Sequence, residues 1–278
     1  MKKVLAVLMA LTIFLVGCAK ADQNPESSKE TVKEASGELE TVEVASHTSP
    51  MTDILELIKD DMKEAGYNLE IVKVSDNVQA NVSLQNREVD ANFFQHEPFM
   101  QQFNDGNDGD LIKATPVYNA LVAFYSNTVK SLDELKDGAV VAIPNDPTNR
   151  TRALRMLASS GLIKLDDPES YNLEVSNVSE NPKNLVFKEW GLLNLNEAFK
   201  ESDLTFNYPT YIDALGLKPE TDGLILEPEA DQTFAITLAA RKENVDSDEL
   251  RALIKAINSE KVKEFIETNL KGHAKVAF

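Results

Sequence analysis

The sequence predicts an α/β protein built from two lobes, and three observations lead to this prediction. Apolar, strand-like runs alternate with amphipathic helical segments along most of the 278-residue chain, an order that favours parallel strand pairing. This alternation occurs in two series, the second opening near Lys130, and a final strand and helices follow them. Hydrophobic residues make up 42% of the chain and charged residues 27%, as is typical of a soluble globular protein. The length suffices for two compact lobes.

The first series consists of three predicted strands joined by two predicted helices. An apolar stripe of Ile54, Leu55 and Ile58 indicates an amphipathic helix, which Gly66 is expected to end. Asp76 is suited to cap the second helix. The predicted elements are strands at 41–45, 68–74 and 89–93, helices at 51–65 and 78–87, a Gly/Asn/Asp loop at 104–109 and strand-like runs over 111–127.

In the second series, the sequence defines clearly where one helix begins. A predicted strand at 139–143 runs into Asp146, a favourable N-cap residue, and Pro147 stands at the first helical position. The helix is predicted over 150–159 and Gly161 closes it. The other predicted elements are helices at 131–135, 195–200 and 211–217, a closing pair of amphipathic helices within 247–270, and strands at 172–178, 185–187, 204–207, 224–226 and 234–240.

The N-terminal residues 1–17 are typical of a secretory signal segment. Lys2 and Lys3 precede an apolar stretch that is too short to span a bilayer. This stretch ends in Leu-Val-Gly before Cys18 and resembles the bacterial lipobox, in which the cysteine is acylated and becomes the mature N-terminus. Residues after Cys18 lack apolar periodicity and are predicted to form a flexible tether.

These segments predict the domain organisation of the chain. The predicted parts are the signal peptide at 1–17, the acylated cysteine and tether at 18–40, the first part of lobe 1 at 41–129, lobe 2 at 130–228 and the return to lobe 1 at 229–278. Lipid chains on Cys18 would hold the lobes at the extracytoplasmic face of the cell membrane without spanning it.

The composition disfavours several classes of function. The net charge of −18 repels phosphate backbones, so nucleic acid is not an expected partner. Cys18 is the only cysteine, which excludes an internal disulfide and a thiolate site elsewhere. The three histidines show neither His-Glu-x-x-His spacing nor a cluster with Asp and Glu, and Gly-x-Ser-x-Gly is absent. We therefore expect a protein that is not an enzyme and that carries no metal or other cofactor.

The segment 90–100 is the strongest candidate for the wall of a ligand pocket. It contains three aromatic residues, two amides, a histidine and a proline within eleven residues. Rings supply contact area and a few polar groups supply direction in such walls. This segment and the turn at 145–152 both follow predicted strand ends, where ligands of open α/β sheets bind. The alternative is a buried strand-to-helix corner with an incidental histidine.

The two segments resemble the NlpA/MetQ family of lipoproteins, the methionine-type substrate-binding components of bacterial ABC importers. The residues that carry the resemblance are Asp90-Ala91-Asn92-Phe93-Phe94-Gln95-His96, Pro98-Phe99, Ala142-Ile143-Pro144-Asn145-Asp146-Pro147-Thr148-Asn149 and Arg152-Ala153-Leu154. The resemblance implies a type II periplasmic-binding-protein fold, in which two α/β lobes close on a ligand. It also implies a small amino-acid-like ligand, an ABC permease and its ATPase as partners, a lipid anchor in the membrane and a monomeric state.

The resemblance also implies which residues bind the ligand. Arg152 is implied to meet the ligand carboxylate, for which its planar guanidinium is suited. Arg150 and Arg155 on the same predicted helix are expected to be ordinary surface residues. The full set of expected ligand-binding residues is Phe93, Phe94, His96, Phe99, Tyr118, Asn149, Arg152, Asn207, Tyr208 and Ile236.

The sequence departs from the family pattern on the other side of the expected pocket. Tyr208 and Ile236 stand where the family usually has asparagines that hold the amino acid. Each unpaired buried polar group costs about 1–3 kcal/mol, so we hypothesise a ligand that is not bound in the methionine manner. Such a ligand could be larger, more apolar, or a carboxylate without a free amine in the usual place. Two alternatives stay open: Asn207 does the same work in a shifted register, or the domain is a surface antigen or scaffold.

Overall fold

The computed structural model describes residues 39–170, 172–228 and 232–278. Cys18, the predicted signal peptide and the predicted tether up to residue 38 lie outside the described residues. The described part contains thirteen β-strands and ten α-helices. The strands are β1 Glu40–Ser46, β2 Tyr67–Lys73, β3 Ala91–His96, β4 Leu111–Ala120, β5 Ala123–Tyr125, β6 Val140–Pro144, β7 Lys164–Leu165, β8 Val178–Glu180, β9 Val186–Trp190, β10 Leu204–Asn207, β11 Ile225–Leu226, β12 Ile236–Arg241 and β13 Ala274–Val276. The helices are α1 Met51–Leu57, α2 Lys59–Glu64, α3 Asn77–Gln85, α4 Glu97–Asn107, α5 Pro147–Ser159, α6 Leu195–Glu201, α7 Pro209–Ile212, α8 Pro219–Asp222, α9 Asp248–Ile257 and α10 Glu260–Asn269.

The first series of elements forms a six-stranded sheet in the order β13-β4-β12-β3-β1-β2. β1 pairs in parallel with both β2 and β3, as the strand-helix alternation predicted. β12 inserts antiparallel between β3 and β4, so the C-terminal part of the chain completes this sheet. The predicted return to the first lobe therefore brings a strand into the centre of the sheet.

The second series forms a five-stranded sheet in the order β11-β5-β10-β6-β9. β6 pairs in parallel with β9 and β10, while β5 pairs antiparallel with β10 and β11. The chain passes from the first sheet to the second between Ala120 and Ala123. It returns between Leu226 and Ile236. The predicted two-lobe α/β class is confirmed, and β5, which precedes the expected boundary at residue 130, belongs to the second sheet.

Three local predictions differ from the structure. The helix expected over 51–65 is divided at Ile58 into α1 and α2. The loop expected at 104–109 is mostly the end of α4, because Asn104 holds the chain there through hydrogen bonds with the backbone N–H and C=O of Leu111 (3.1 and 2.8 Å). The strand expected at 172–178 is instead a 3₁₀ turn at Val175–Asn177 followed by β8.

Helix termini follow the predicted signals. Asp76 caps α3 by accepting a hydrogen bond from the backbone N–H of Gln79 (2.8 Å), and Asp146 caps α5 in the same way from Asn149 (2.9 Å). Gly66 follows α2 with φ +96°, a conformation that favours glycine. The Asp146 cap fixes where β6 ends and α5 begins, and this transition faces the candidate site.

Candidate functional site

Two helix N-termini supply the polar groups of the site. β3 ends at His96, which caps α4: its Nδ1 accepts a hydrogen bond from the backbone N–H of Phe99 (3.2 Å). β6 ends before Asp146, which caps α5 and also accepts a hydrogen bond from the Asn149 side-chain amide (2.9 Å). The two capped helices therefore present His96 and Asn149 to each other across the space between the two sheets.

The space between the sheets is a cavity of about 40 Å³. Ile236 of β12 lies directly between His96 of β3 and Tyr118 of β4 in the sheet register, and these three residues form its floor. The residues that line the cavity are Met51, Asn77, Phe94, Gln95, His96, Phe99, Tyr118, Ala120, Asn149, Leu192, Tyr208, Thr210, Tyr211 and Ile236. The volume is enough for about three water molecules and is well below the roughly 300 Å³ of small ligand pockets. The described conformation therefore leaves only a small space between the sheets.

One wall of the cavity is aromatic. The rings of Phe94 and Phe99 meet edge to face with centroids 6.0 Å apart, and the Phe99 and His96 rings do so at 6.3 Å. Phe234 meets His96 from another side at 5.2 Å. Edge-to-face contacts of this kind fix ring orientation and contribute beyond the area that they bury. The wall is rigid and is suited to an apolar or aromatic group of a ligand.

The opposite wall is a chain of buried hydrogen bonds. The Tyr208 hydroxyl donates to Asn149 Oδ1 (2.6 Å) and accepts from Nη1 of Arg152 (3.0 Å). Nε2 of His96 lies 3.2 Å from the same Asn149 oxygen. Because Nδ1 of His96 accepts from the backbone, the proton of the neutral ring is on Nε2, which donates to Asn149. These side chains satisfy one another, as buried polar groups require.

The protonation states in this wall follow from burial. Burial and the nearby charge of Arg152 lower the pKa of His96 to about 3, against a smaller opposing effect of the hydrogen bond with Asn149. The imidazole is therefore neutral at physiological pH. Burial raises the pKa of Tyr208 to about 12 although Arg152 opposes this shift, so the hydroxyl is neutral as well.

Arg152 forms an ion pair within the protein. Its Nε donates to Oε1 of Glu227 at 2.6 Å and its Nη2 to Oε2 at 2.5 Å, a bidentate arrangement. The side chain of Arg152 is 1% exposed and that of Glu227 is 14% exposed. Burial alone would lower the pKa of Arg152, but the charge of Glu227 and the hydrogen bonds with Glu227 and Tyr208 raise it above its ordinary value. The guanidinium is a permanent cation whose charge Glu227 balances.

Seven of the ten expected ligand-binding residues line the cavity. They are Phe94, His96, Phe99, Tyr118, Asn149, Tyr208 and Ile236. Arg152 lies behind Tyr208 and outside the lining, because Glu227 holds its guanidinium. Phe93 points to the other face of β3, as strand alternation requires, and is fully buried in the core. Neither residue lines the cavity in the described conformation, and their contact with a ligand stays a prediction.

Asn207 is also outside the cavity lining. Its side-chain amide donates to Asn196 (2.8 Å), and its carbonyl accepts from the backbone N–H of Tyr208 (2.9 Å). Asn207 therefore closes the end of β10, and the neighbouring Tyr208 is the residue that faces the cavity. The register in which Asn207 takes the place of the missing pocket asparagine is not the register of this structure.

Several residues of the site were not expected from the sequence. The additional lining residues are Met51, Asn77, Gln95, Ala120, Leu192, Thr210 and Tyr211. Asn77 was expected only as part of a helix start, and its Oδ1 is buried with no hydrogen-bond partner among the described residues. Glu227, the partner of Arg152, follows a two-residue strand and carries no local sequence signal. Its role depends on a contact with a residue 75 positions away, which no sequence pattern indicates.

Two further observations concern the described residues as a whole. They contain no group of three or more His, Cys, Asp or Glu side chains that could hold a metal ion. None of their helices is both long enough and apolar enough to cross a membrane.

Comparison with known proteins places this chain and its fold in a family. The methionine-binding lipoprotein MetQ of Bacillus subtilis is 35% identical over 241 residues, which is 85% of this chain and 88% of that protein. Two solved structures superimpose closely: the lipoprotein Tp32 of Treponema pallidum (TM-score 0.83, 32% identity) and a nutrient-binding protein of Burkholderia cenocepacia bound to methionine (TM-score 0.80, 31% identity). Each match covers 86% of this chain and all of the other. The model of the NlpA lipoprotein family matches residues 42–278, and the chain belongs to that family.

Proposed function

We propose that the protein is the extracytoplasmic substrate-binding lipoprotein of an ABC importer. Its ligand in this proposal is methionine or a related amino acid or small peptide-like molecule, bound in the cavity between the two sheets. The single observation that carries the proposal is the position of the cavity, at the ends of β3 and β6 and between two sheets that the chain connects twice. This is where ligands of open α/β sheets bind.

The aromatic wall and the polar wall have separate roles in the proposal. Phe94 and Phe99 would contact the apolar side chain of the ligand. His96, Asn149 and Tyr118 would orient its polar groups. The related lipoprotein of Bacillus subtilis and the methionine-bound structure of Burkholderia cenocepacia support a ligand of the methionine class. No step of catalysis is assigned to these residues.

The proposal includes attachment to the membrane and two protein partners. Lipid chains on Cys18 would anchor a monomer at the extracytoplasmic face of the cell membrane, where the rims of both lobes would meet the permease. The permease would connect them to its ATPase on the other side of the membrane. A lipid-anchored position gives a binding protein a high effective concentration at its membrane partner. The relatives support this placement through their names as lipoproteins.

The test uses the full-length lipoprotein, purified in mild detergent and combined with its permease and ATPase in proteoliposomes. L-methionine, D-methionine and methionine-containing dipeptides are added in turn, while ATP hydrolysis and uptake are measured. We expect at least one of these compounds, or a ligand that copurifies and is identified by native mass spectrometry, to stimulate both. A cleft that binds none of them, yields no copurifying ligand and stimulates neither readout contradicts the proposal and favours the scaffold alternative.

A specific observation favours a second candidate ligand class. Tyr208 and Ile236, at positions where the resemblance implied asparagines, both line the cavity. In this second proposal the cavity differs from a methionine-type site at these two positions. A divergent importer component for a different small and more apolar ligand is therefore the second candidate.

A further inference from the structure

The wall of the cavity carries no formal charge. Its fourteen lining residues include no Lys, Arg, Asp or Glu, and the imidazole of His96 is held neutral by burial. A free amino acid carries both an ammonium and a carboxylate group at neutral pH. Transferring either group into a neutral, desolvated site is costly unless an opposite charge or several hydrogen bonds receive it. The lining of this cavity contains no charged side chain that could pair with the ammonium or with the carboxylate group.

The nearest cation, Arg152, has no open side toward the cavity. Glu227 receives Nε and Nη2, Tyr208 receives Nη1 at 3.0 Å, and the carbonyl oxygen of Ala120 lies 3.4 Å from Nη2. The ring of Phe234 covers one face of the guanidinium, with its centroid 4.6 Å from Cζ. A carboxylate approaching from the cavity would have to displace the hydroxyl of Tyr208 and compete with Glu227.

Tyr208 stands between the arginine and the cavity. Its hydroxyl bridges Arg152 and Asn149 at 3.0 and 2.6 Å, and its ring is clamped edge to face by Phe206 and Tyr211 at 5.7 and 6.2 Å. The side chain is 7% exposed. Tyr208 therefore supplies from within the chain the acceptor oxygen that a ligand carboxylate would otherwise offer to Nη1.

One buried hydrogen-bond acceptor at the cavity has no donor among the described residues. Oδ1 of Asn77 has no hydrogen-bond partner among the described residues, although Asn77 lines the cavity. Buried acceptors are normally paired, so this oxygen is suited to an N–H or O–H group of a ligand. The carbonyl oxygen of Asn149, by contrast, already accepts from Tyr208 and His96.

We propose that the cleft selects a ligand that is uncharged where the cavity contacts it, with an apolar group against Phe94 and Phe99 and a hydrogen-bond donor for Asn77. Tyr208 is the residue that excludes a carboxylate. The inference rests on the proposed function, because it assumes that the cavity is the ligand site. It goes further by naming the charge class of the ligand and the residue that sets it.

The test compares four probes that share the methionine side chain. They are L-methionine (zwitterion), N-acetyl-L-methionine (anion), L-methioninamide (cation) and N-acetyl-L-methioninamide (neutral), titrated calorimetrically into the full lipoprotein at about pH 6, where α-amino groups are protonated. We expect the neutral probe to bind at least about tenfold more tightly than the other three, equivalent to about 1.4 kcal/mol. Equal or tighter binding of L-methionine or N-acetyl-L-methionine overturns the inference, as does failure of the neutral probe to bind.

Variants separate the role of Tyr208 from a general loss of structure. Tyr208→Asn frees Nη1 of Arg152 and enlarges the cavity, and we expect the ratio of anionic to neutral probe affinity to rise by about tenfold or more. Asn77→Ala should weaken the neutral probe by about tenfold, the value of one neutral hydrogen bond. Tyr125→Phe is the matched control: Tyr125 is fully buried in β5, outside the cavity lining, and the ratio should not change. A folded Tyr208→Asn protein with the wild-type ratio contradicts the assignment of Tyr208.

The two proposals fail in distinguishable ways. Stimulation of ATP hydrolysis by L-methionine, with tight binding of the zwitterion, supports the importer function and overturns the neutral-ligand inference. Absence of binding by all four probes overturns the inference, and the copurifying ligand and the ATPase readout then decide the function separately.

Discussion

Replacing Glu227 by Gln is expected to destabilise the protein strongly, because it leaves the guanidinium of Arg152 buried without a counter-charge. The two side chains are 1% and 14% exposed, so water can replace the lost carboxylate only in part. Removing one partner of a buried ion pair costs about 3–5 kcal/mol, and the residual exposure of Glu227 places our expectation near the lower end, at about 3 kcal/mol. For a chain of this size, that loss lowers the melting temperature by about 6–12 °C.

The assay is urea unfolding of the full chain, followed by circular dichroism and by the fluorescence of Trp190. Glu180→Gln is the matched control, because its ion pair with Lys164 is exposed (59% and 69%) and should cost less than about 1 kcal/mol. The double variant Arg152→Met/Glu227→Gln has no unpaired buried cation. It should therefore lose less unfolding free energy than the sum of the losses in the two single variants. A Glu227→Gln variant as stable as Glu180→Gln, or a double variant that shows simple additivity, refutes the argument.

Three further predictions concern stability. The pKa of His96 is lowered from 6.5 to about 3, so the unfolded state binds one more proton in this range and stability falls as pH falls. Wild type should lose about 2 kcal/mol more than His96→Gln between about pH 6.5 and pH 5, and parallel pH profiles of the two unfolding free energies would contradict this. Gly66→Ala should cost about 1 kcal/mol because Gly66 has φ +96°, whereas Gly106→Ala inside α4 should stabilise by about 0.5–1 kcal/mol; equal thermal shifts would refute the backbone argument. Asp76→Ala should cost about 1 kcal/mol by removing the cap of α3, and an unchanged denaturation midpoint would show that the cap contributes nothing.

Local signals in the sequence predicted much of the fold. Alternation and caps place β1, β3 and α5 within a few residues of their observed positions, since these elements depend on neighbouring residues. The division of helix 51–65 at Ile58 and the extension of α4 were not predicted. The extension depends on hydrogen bonds between Asn104 and the backbone of Leu111. The Gly, Asn and Asp residues of this segment predict a loop and give no indication of these bonds.

The sequence predicted one part of the candidate site and missed another, and the difference has a physical reason. The segment around Phe94 and His96 was found because its unusual residues are consecutive and follow a strand. The partner of Arg152 could not be found, because a single glutamate 75 residues away becomes meaningful only after both sheets have formed. The resemblance predicts a ligand carboxylate as a partner of Arg152, which stays a prediction, and the structure shows an ion pair with Glu227 that the sequence did not indicate.

The position of Arg152 has a mechanical consequence. The chain leaves the first sheet after Ala120, and its return segment begins at Glu227, after β11. The backbone N–H of Glu227 donates to the carbonyl oxygen of Val122 (3.2 Å), so the two connections lie side by side at this point. The guanidinium on α5 holds both segments, through the carbonyl of Ala120 and the carboxylate of Glu227. Arg152 therefore ties both connections to α5. A rotation that separated the two sheets at the cavity would have to turn about this contact or break these hydrogen bonds, so Arg152 restricts how the two sheets can move relative to each other.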